Sequence, residues 1–334
     1  YKLFMSGELP DLKNEASLFD FPKADATRNT SYAVLNKLAD LIPNLIGGSA
    51  DLAPSNKSAM KKRGDFSPED RTGSNLHYGI REHAMAAIAN GIQLHGGLRS
   101  YCATFFIFSD YMKNAMRLSA LMHLPVTYIL THDSIGVGED GPTHEPVEQL
   151  IALRSIPNMK VYRPADGKET AAAWISALTG TAPTCLVLTR QNLPQYENSG
   201  LAALKGGYVL ADSTKAVPDV LLIASGSEVE QCMQAKEILK TKGVDARVVS
   251  MPCIEEFEKQ PQSYKDEVLP PEVEARVCVE AGSPYSWYKY AGNKGEIIGM
   301  STFGASGPAN KLFEMFGFTA ENVVEKAFRS INKI

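Results

Sequence analysis

Short apolar runs alternate with amphipathic windows along most of the chain. Several runs lack polar residues at alternate positions, as do parallel strands that are covered on both faces. The predicted strands are 44–47, 76–80, 99–105, 126–133, 160–163, 184–189, 220–225, 246–251, 275–280 and 296–300. Between them, apolar residues recur near the 3.6-residue period, which predicts helices at 29–41, 82–95, 109–123, 168–178, 228–241 and 309–316. This alternation predicts an α/β fold with mostly parallel sheets flanked by helices.

A polar, turn-rich segment separates two such strand–helix patterns. Residues 191–200 read Gln-Asn-Leu-Pro-Gln-Tyr-Glu-Asn-Ser-Gly, and a new pattern begins after them. A length of 334 residues suits about two domains. We therefore expect one domain at 24–190, a linker at 191–205 and a second domain at 206–334.

Residues 1–23 are expected to form a further linker. They are mostly polar and include Pro10 and Pro22, a composition typical of interdomain segments. The chain also starts at Tyr1 instead of Met. Together these features favour a piece of a longer protein.

The charge balance and the cysteines exclude several classes of protein. Lys and Arg number 34 and Asp and Glu 38, so the formal net charge of −4 provides no basic excess for nucleic acid or an anionic membrane. No apolar run approaches the ~20 residues of a membrane-spanning helix. The five cysteines are scattered and form no Cys-x-x-Cys pair. This pattern indicates reduced thiols in the cytoplasm, and argues against a disulfide framework or a zinc site.

One loop concentrates most of the reactive side chains. It follows a predicted strand and reads Thr131-His-Asp-Ser-Ile-Gly-Val-Gly-Glu-Asp-Gly-Pro-Thr-His-Glu-Pro146. In open α/β sheets, ligands bind outside the carboxyl ends of the strands. We therefore expect His132, Asp140 and His144 on an irregular loop over a cleft. A solvated surface loop and a metal site with His and carboxylate ligands are the alternatives.

Glu82 is a second candidate. It stands at the start of a predicted, alanine-rich helix, where an acidic residue ordinarily complements the helix dipole. In an apolar site, however, burial raises the pKa of a carboxyl group, which could then exchange a proton near neutrality. The residues alone leave both explanations open.

Three aromatic residues recur at every third position, at Phe105, Phe108 and Tyr111. They could line one face at the start of a helix, which in most proteins means core packing. The alternative is a pocket for a flat heteroaromatic ring, which aromatic side chains bind by stacking.

Weaker signals lie next to other predicted elements. Residues 47–56 read Gly-Gly-Ser-Ala-Asp-Leu-Ala-Pro-Ser-Asn and could form an oxygen-binding loop. Arg190 at a strand end, and Arg28 before a helix, could each bind a phosphate group through a guanidinium fork or simply lie at the surface. The turn at 225–229, Ser-Gly-Ser-Glu-Val, could bind an anion at a helix N-terminus, or Ser227 could cap that helix. No role is assigned to this turn.

Together and in this order, these stretches resemble the transketolase family. The resemblance is strongest in Ser-Ala-Asp-Leu-Ala-Pro-Ser-Asn at 49–56, in the run 131–146 and in Arg-Gln-Asn-Leu at 190–193, and it extends along essentially the whole chain. It implies the family's pyrimidine-binding domain followed by its C-terminal domain. Deoxyxylulose-phosphate synthases and the β subunits of 2-oxoacid dehydrogenases share parts of the pattern but differ at 49–56.

The resemblance implies thiamine diphosphate as cofactor, and transfer of a two-carbon ketol unit from a ketose phosphate to an aldose phosphate. Glu82 matches the glutamate that hydrogen-bonds the aminopyrimidine ring, which makes it catalytic as well as cofactor-binding. The implied cofactor-binding residues are Asp51, Glu82, Phe105, Phe108 and Tyr111. The implied sugar-phosphate contacts are Arg28, Ser55, His132 and Arg190, and the contacts to the donor's hydroxyl groups are Asp140 and His144. His132 and His144 are also expected to be catalytic.

The diphosphate-binding motif of the family does not occur in this sequence. That motif, Gly-Asp-Gly followed by asparagines, binds the diphosphate and Mg²⁺ or Ca²⁺. The nearest strings, Glu-Asp-Gly-Pro at 139–142 and Gly-Asp-Phe at 64–66, do not match it. The resemblance therefore implies half of an enzyme, without metal ligands of its own.

This half is expected to pair with a diphosphate-binding half, to form a homodimer and to be inactive alone. A fragment is favoured over a natural subunit of a split transketolase. The alternatives are a non-catalytic dimerisation module and, less favoured, a metal hydrolase built on His132 and His144 or a deoxyxylulose-phosphate-synthase-like enzyme.

Overall fold

Two large β-sheets covered by helices organise residues 1–333, which are those that the computed structural model describes. The strands are β1 (Asp25–Ala26), β2 (Leu45–Ser49), β3 (Asn75–His77), β4 (Arg99–Phe105), β5 (Thr127–Thr131), β6 (Lys160–Tyr162), β7 (Thr184–Leu188), β8 (Asn192–Leu193), β9 (Tyr208–Ala211), β10 (Val220–Ala224), β11 (Ala246–Ser250), β12 (Arg276–Val279) and β13 (Glu296–Ile298).

Helices connect most of these strands. They are α1 (Lys2–Met5), α2 (Thr27–Leu41), α3 (Ala53–Asn56), α4 (Glu82–His95), α5 (Ser109–Leu121), α6 (Gln149–Arg154), α7 (Gly167–Thr179), α8 (Val229–Thr241), α9 (Ile254–Glu258), α10 (Gln262–Val268), α11 (Tyr288–Ala291), α12 (Ala309–Met315) and α13 (Ala320–Ile331).

The first large sheet is entirely parallel, with the strand order β3-β2-β4-β5-β7-β6. The carboxyl ends of parallel strands meet at one edge, which is where such sheets bind ligands. The segments that leave β2, β4, β5 and β7 at this edge begin at Ala50, Phe106, His132 and Thr189. Four sequence stretches that are far apart in the chain are thereby brought together.

The two faces of this sheet are buried by different helices. Successive residues of a strand point to opposite faces, so Tyr101 and Ala103 of β4 pack with α2 and α7, whereas Cys102 packs with α4 and α5. A strand buried on both faces carries apolar residues at successive positions, which explains short apolar runs such as 101–103.

The second large sheet has the strand order β13-β12-β10-β11-β9 and is parallel except for β9. Helices α8 and α13 cover one face, and a cluster that includes Phe257, Trp287 and Tyr290 covers the other. The prediction of two mostly parallel α/β sheets is thus confirmed.

The predicted secondary structure omitted five elements of this second domain, strand β9 and helices α9, α10, α11 and α13. Helix α13 is capped by Thr319, whose hydroxyl accepts a hydrogen bond from the N–H of Asn322, and it buries Val323, Val324 and Ala327. Strand β9 pairs antiparallel with β11. By contrast, the predicted bounds of β4 and α4 coincide with the observed ones.

Residues 1–23 pack onto the first domain. Leu12 and Leu18 lie in short 3-10 turns and are buried in the core cluster beneath α2. Nη2 of Arg99 donates a hydrogen bond to the carbonyl oxygen of Gly7 at 2.6 Å. This segment therefore lies against the domain instead of extending from it.

The two domains share a mixed apolar and polar interface. Ile135, Ala165 and Ala172 of the first domain join the apolar core of the second. The buried carboxylate of Glu169, in the first turn of α7, accepts hydrogen bonds from the hydroxyl groups of Tyr208 at 2.8 Å and Ser250 at 2.6 Å. These contacts determine how the second domain sits beside the ligand-binding edge of the first.

The structure also bears on what the sequence indicated about the cysteines and about membrane-spanning helices. All five cysteines are free and buried. Across residues 1–333, no helix has both the length and the apolar character that crossing a membrane requires.

Candidate active site

A cavity of about 500 Å³ opens at the carboxyl edge of the first sheet. Glu82 lines it as the first residue of α4, and its side chain is largely buried. Asp51, after β2, and Tyr111, in α5, lie on the exposed side of the cavity. Phe108 completes the opposite wall. The cavity thus combines one buried carboxyl, that of Glu82, with mainly apolar walls.

The three predicted aromatic residues form a continuous ladder. The rings of Phe105 and Phe108 are stacked with centroids 6.0 Å apart, and those of Phe108 and Tyr111 are also 6.0 Å apart. Phe105 ends β4, Phe108 lies in a 3-10 turn, and Tyr111 lies in α5. The ladder runs from the cavity toward the loop that follows β5, because the ring of His132 lies 3.7 Å from that of Phe105.

His132 is oriented by a chain of buried hydrogen bonds. Nδ2 of Asn56 donates to Oγ of Ser49 at 2.8 Å, and Oδ1 of Asn56 accepts from the Thr131 hydroxyl at 2.9 Å. The Thr131 oxygen, whose proton is then in use, accepts from Nδ1 of His132 at 2.9 Å. This leaves Nε2 of His132 as an acceptor, 3.4 Å from Nη1 of Arg28.

The surroundings of His132 keep its imidazole neutral. Burial, followed by the charges of Arg28, Arg190 and His144, lowers the pKa of His132 to about 3. A neutral imidazole whose Nε2 carries a lone pair can accept a hydrogen bond, from Arg28 or from a bound hydroxyl group.

Two arginines place positive charge at one end of the site. Nη1 of Arg28 donates to the backbone carbonyl oxygen of Ser55 at 3.1 Å. Burial, and then the charge of Arg190, lower the pKa of Arg28, while Asp25 raises it. The two guanidinium groups are therefore close enough to repel each other, and an anion between them would relieve that repulsion.

The loop that follows β5 brings His132 and His144, but not Asp140, next to the aromatic ladder. The ring of His144 packs edge-on against Phe108 and Phe105, with centroids 5.6 and 6.5 Å apart. Asp140 lies at an exposed turn, and the contacts of the described residues do not link its carboxylate to the cavity. Within residues 1–333, no three His, Cys, Asp or Glu side chains are grouped as a metal ion would require, so the metal-hydrolase alternative has no supporting cluster.

Sequence reasoning missed the residues that orient the site. Asn56 and Thr131 lie in the quoted stretches, but neither was assigned a role, because the hydrogen bond between them joins distant segments and exists only in the fold. Glu145 was missed as well. Its carboxyl is buried against Gly304 of the second domain, and burial raises its pKa to about 7.

Comparison with known proteins gives two family matches. The transketolase pyrimidine-binding domain matches residues 23–195, and the transketolase-like C-terminal domain matches residues 206–319. Transketolase of Bacillus subtilis is 51% identical over 99% of this chain and 51% of its own length. The chloroplastic transketolase of Solanum tuberosum is 50% identical over 98% of this chain and 45% of its own length. The chain thus spans about half the length of the curated relatives it matches.

Solved structures agree with these matches. Transketolase from Leishmania mexicana superposes with a TM-score of 0.94 at 43% identity, covering 98% of this chain and 48% of that one. A Pichia stipitis transketolase in complex with sedoheptulose 7-phosphate superposes with a TM-score of 0.93 at 44% identity, covering 99% and 50%. A split-gene transketolase, described as an inactive β4 tetramer, shares the fold at 24% identity and a TM-score of 0.74. Since the pyrimidine-binding domain alone accounts for more than half of its residues, this chain belongs to the transketolase family.

Proposed function

We propose that this chain supplies the pyrimidine-binding and sugar-binding half of a thiamine-diphosphate-dependent transketolase. The observation that carries the proposal is the cavity at the carboxyl edge of the first sheet, where Glu82, Asp51, Phe108 and Tyr111 meet. The assembled enzyme would move a two-carbon ketol unit from a ketose phosphate to an aldose phosphate.

The cavity is compatible with the aminopyrimidine ring of the cofactor. Its volume of about 500 Å³ exceeds that of a single ring, and Phe108 and Tyr111 offer aromatic surface to a flat heterocycle. Phe105 does not line the cavity but stacks against Phe108 from behind. The Glu82 carboxyl, at the start of α4, would form a hydrogen bond to a ring nitrogen. Bound there, thiamine diphosphate would supply the electron sink that carbon–carbon bond cleavage beside a carbonyl group needs.

The neighbouring residues suit a sugar phosphate. We assign the phosphate group to Arg28, Arg190 and Ser55, because two arginines converge there at the open edge. Nε2 of His132 would accept a hydrogen bond from a sugar hydroxyl, and His144 would contact the donor beside the aromatic ladder. Asp140 would reach the donor's hydroxyl groups only if its exposed turn folds inward on binding. The Pichia stipitis relative, a complex with sedoheptulose 7-phosphate, supports this class of substrate.

The diphosphate and its Mg²⁺ or Ca²⁺ are assigned to a diphosphate-binding half, as the family resemblance implies. Exposed apolar side chains just before α4 and along α4 and α5 support association with a partner; they are Ile80, Ile88, Leu94, Tyr111, Leu118 and Leu121. For the same reason we retain a dimerisation module as the second candidate. A cytoplasmic location fits the five free thiols.

A cofactor titration and an activity assay test the proposal. Ring stacking and one hydrogen bond each contribute only ~1 kcal/mol net, whereas capturing a ligand costs ~4 kcal/mol or more. The chain alone should therefore bind thiamine diphosphate with magnesium no better than roughly millimolar and catalyse no ketol transfer from xylulose 5-phosphate to ribose 5-phosphate.

Adding the diphosphate-binding half should restore both properties. Glu82→Gln in the restored sample serves as the control, because it keeps the shape of the side chain but not its acid. Micromolar binding of thiamine diphosphate, or ketol transfer, by the chain alone would contradict the proposal that it carries only half of the cofactor site. If the two halves associate but the sample shows no ketol transfer, only the second candidate function, a dimerisation module, would remain.

A further inference from the structure

The turn at 225–228 contacts the positively charged guanidinium group of Arg163. An anion site was one of the two possibilities that the sequence offered for this turn. Nη1 of Arg163, a fully buried residue after β6, donates to the carbonyl oxygen of Ser225 at 3.0 Å and to the carboxylate of Glu228. Nη2 of Arg163 donates to Oγ of Ser227 at 3.2 Å. Ser227 caps neither the turn nor α8. The first domain thus inserts a guanidinium group into the second.

This turn lies where an α/β domain ordinarily binds its ligand. Strand β10 is flanked by β11 and β12, so the chain leaves β10 to one side and later returns to the other. The crevice at such a switch point is the usual ligand site. Here Arg163 fills it together with Arg154, which donates to both carboxylate oxygens of Glu280 at 2.7 and 2.8 Å.

The fit around Arg163 is tight. Gly226 has a φ of +56°, and a Cβ atom there would lie 2.8 Å from Cγ of Arg163. Burial by itself lowers the pKa of Arg163, but Glu228 and then Asp133 raise it above its ordinary value, so the group stays charged. The crevice is therefore built around this side chain.

The other side of Arg163 contacts the candidate active site. Its Nε and Nη2 donate to Oδ2 of Asp133 at 3.0 and 2.7 Å. Asp133 directly follows His132, whose φ of +64° is a left-handed conformation that a non-glycine residue rarely adopts. Such strain persists only where surrounding contacts hold it, and it is concentrated at functional sites.

We propose that Arg163 is a positioning residue: it holds Asp133 and thereby the strained backbone of His132, and the second domain serves the active site by holding Arg163. The role of His132 rests on the proposed function, whereas its placement by Arg163 does not. The crevice of the second domain at β10 is accordingly a socket for Arg163 of the first domain.

The test compares two arginines at the same domain interface whose side chains are both buried. Arg163→Lys keeps the charge but loses the fork that binds Asp133. Arg154→Lys is the matched control, because it weakens the same interface without touching Asp133. Both variants are made in the assembled enzyme, and KM for the ketose phosphate, kcat and the NMR resonances of the His132 imidazole are measured.

Arg163→Lys should raise KM about tenfold, since small displacements of a binding group cost factors of this order, with a smaller change in kcat. It should also shift or broaden the His132 resonances. Arg154→Lys should leave KM within about twofold and the His132 resonances unchanged, even where it lowers thermal stability equally. The proposal would be overturned if both variants changed KM and the His132 resonances equally. It would also be overturned if the His132 resonances were unchanged in Arg163→Lys.

Glu228→Gln keeps the test decisive if Arg163→Lys fails to fold. It lies in the second domain and leaves a neutral acceptor for Arg163, so the expected changes have the same direction and smaller size. Unmoved His132 resonances in this variant would equally overturn the proposal. If the enzyme has no ketol-transfer activity at all, the proposed function fails, but the resonances still report whether Arg163 positions His132.

Discussion

At the scale of single residues, burial is what separates the candidate catalytic groups from ordinary surface side chains. Glu82 begins α4, where many helices carry an exposed acid, yet its carboxyl lines a cavity with aromatic walls. His132 is held neutral by burial and by two arginines. These environments suit hydrogen bonding to a bound cofactor or substrate.

Replacement of Glu82 by alanine should lower kcat of the assembled enzyme by about 10²–10⁴, the usual contribution of a positioned acid or base. Arg190→Ala should mainly raise KM for phosphorylated sugars, because a phosphate contact is equally strong in the ground and transition states. Steady-state kinetics of both variants provide the comparison. A larger loss of kcat for Arg190→Ala than for Glu82→Ala would reverse the two assignments.

Glu145 should make stability depend on pH. Burial raises the pKa of its carboxyl to about 7 in the folded chain, so the folded state holds a proton that the unfolded state releases at lower pH. The contribution of Glu145 to the free energy of unfolding is fully present below the pKa of the unfolded chain, which is about 4.3. It is lost as the pH rises through the folded pKa of about 7.

Glu145→Gln cannot lose that proton. It should match the unsubstituted protein in melting temperature near pH 5 and exceed it at pH 8. Glu139→Gln, which removes an exposed carboxylate from the same loop, controls for the change in net charge. If Glu145→Gln raises the melting temperature more at pH 5 than at pH 8, the raised pKa of Glu145 in the folded chain is contradicted.

At the scale of elements, close backbone packing of β2 positions the loop that carries Asp51 and Asn56. A Cβ atom at Gly48 would lie 1.8 Å from the carbonyl oxygen of Leu76 in β3. Glycine is therefore required by the approach of two strands, and the neighbouring oxygen cannot move without breaking the sheet.

Gly48→Ala should destabilise the protein by about 1–3 kcal/mol or more, the cost of overpacking a rigid interior. Gly91→Ala in α4 is the matched control, because nothing lies within 4 Å of the added methyl group. That control should stabilise the helix by about 0.5–1 kcal/mol. The midpoints of urea unfolding measure both effects, and a neutral Gly48→Ala would mean that β2 and β3 separate readily.

At the scale of the whole molecule, the exposed apolar faces of α4 and α5 suit self-association. We expect a homodimer in sedimentation equilibrium at micromolar concentration. Leu121→Glu, at a residue that is 63% exposed on α5, should weaken the dimer by placing a charge in the interface.

Met315→Glu changes a residue that is 70% exposed on α12 and should leave the dimer intact. A monomer of 36.3 kDa for the unsubstituted chain would assign association to the diphosphate-binding half. Equal weakening by both substitutions would mean that the interface is not on α5.

The sequence alone determined the class of fold and most of its elements. The bounds of α4 follow from local features, an apolar period and the Gly96-Gly97 stop, and those of β4 from a run of residues that suit a strand buried on both faces. Local signals act over a few residues, so they can be recognised without knowing the fold. The signal for α13 was of the same kind, with Thr319 as its cap, and was overlooked.

The tertiary structure alone decided which distant residues meet. The antiparallel pairing of β1 with β8, the contact of Arg28 with His132 and the burial of Arg163 between Asp133 and Glu228 all join segments far apart in the chain. Each depends on how the parallel sheet aligns its strand ends and on how the second domain docks. A charge is buried only where the fold supplies its partners, so the environment of a charged residue is a property of the assembled domains and has no local signature in the sequence.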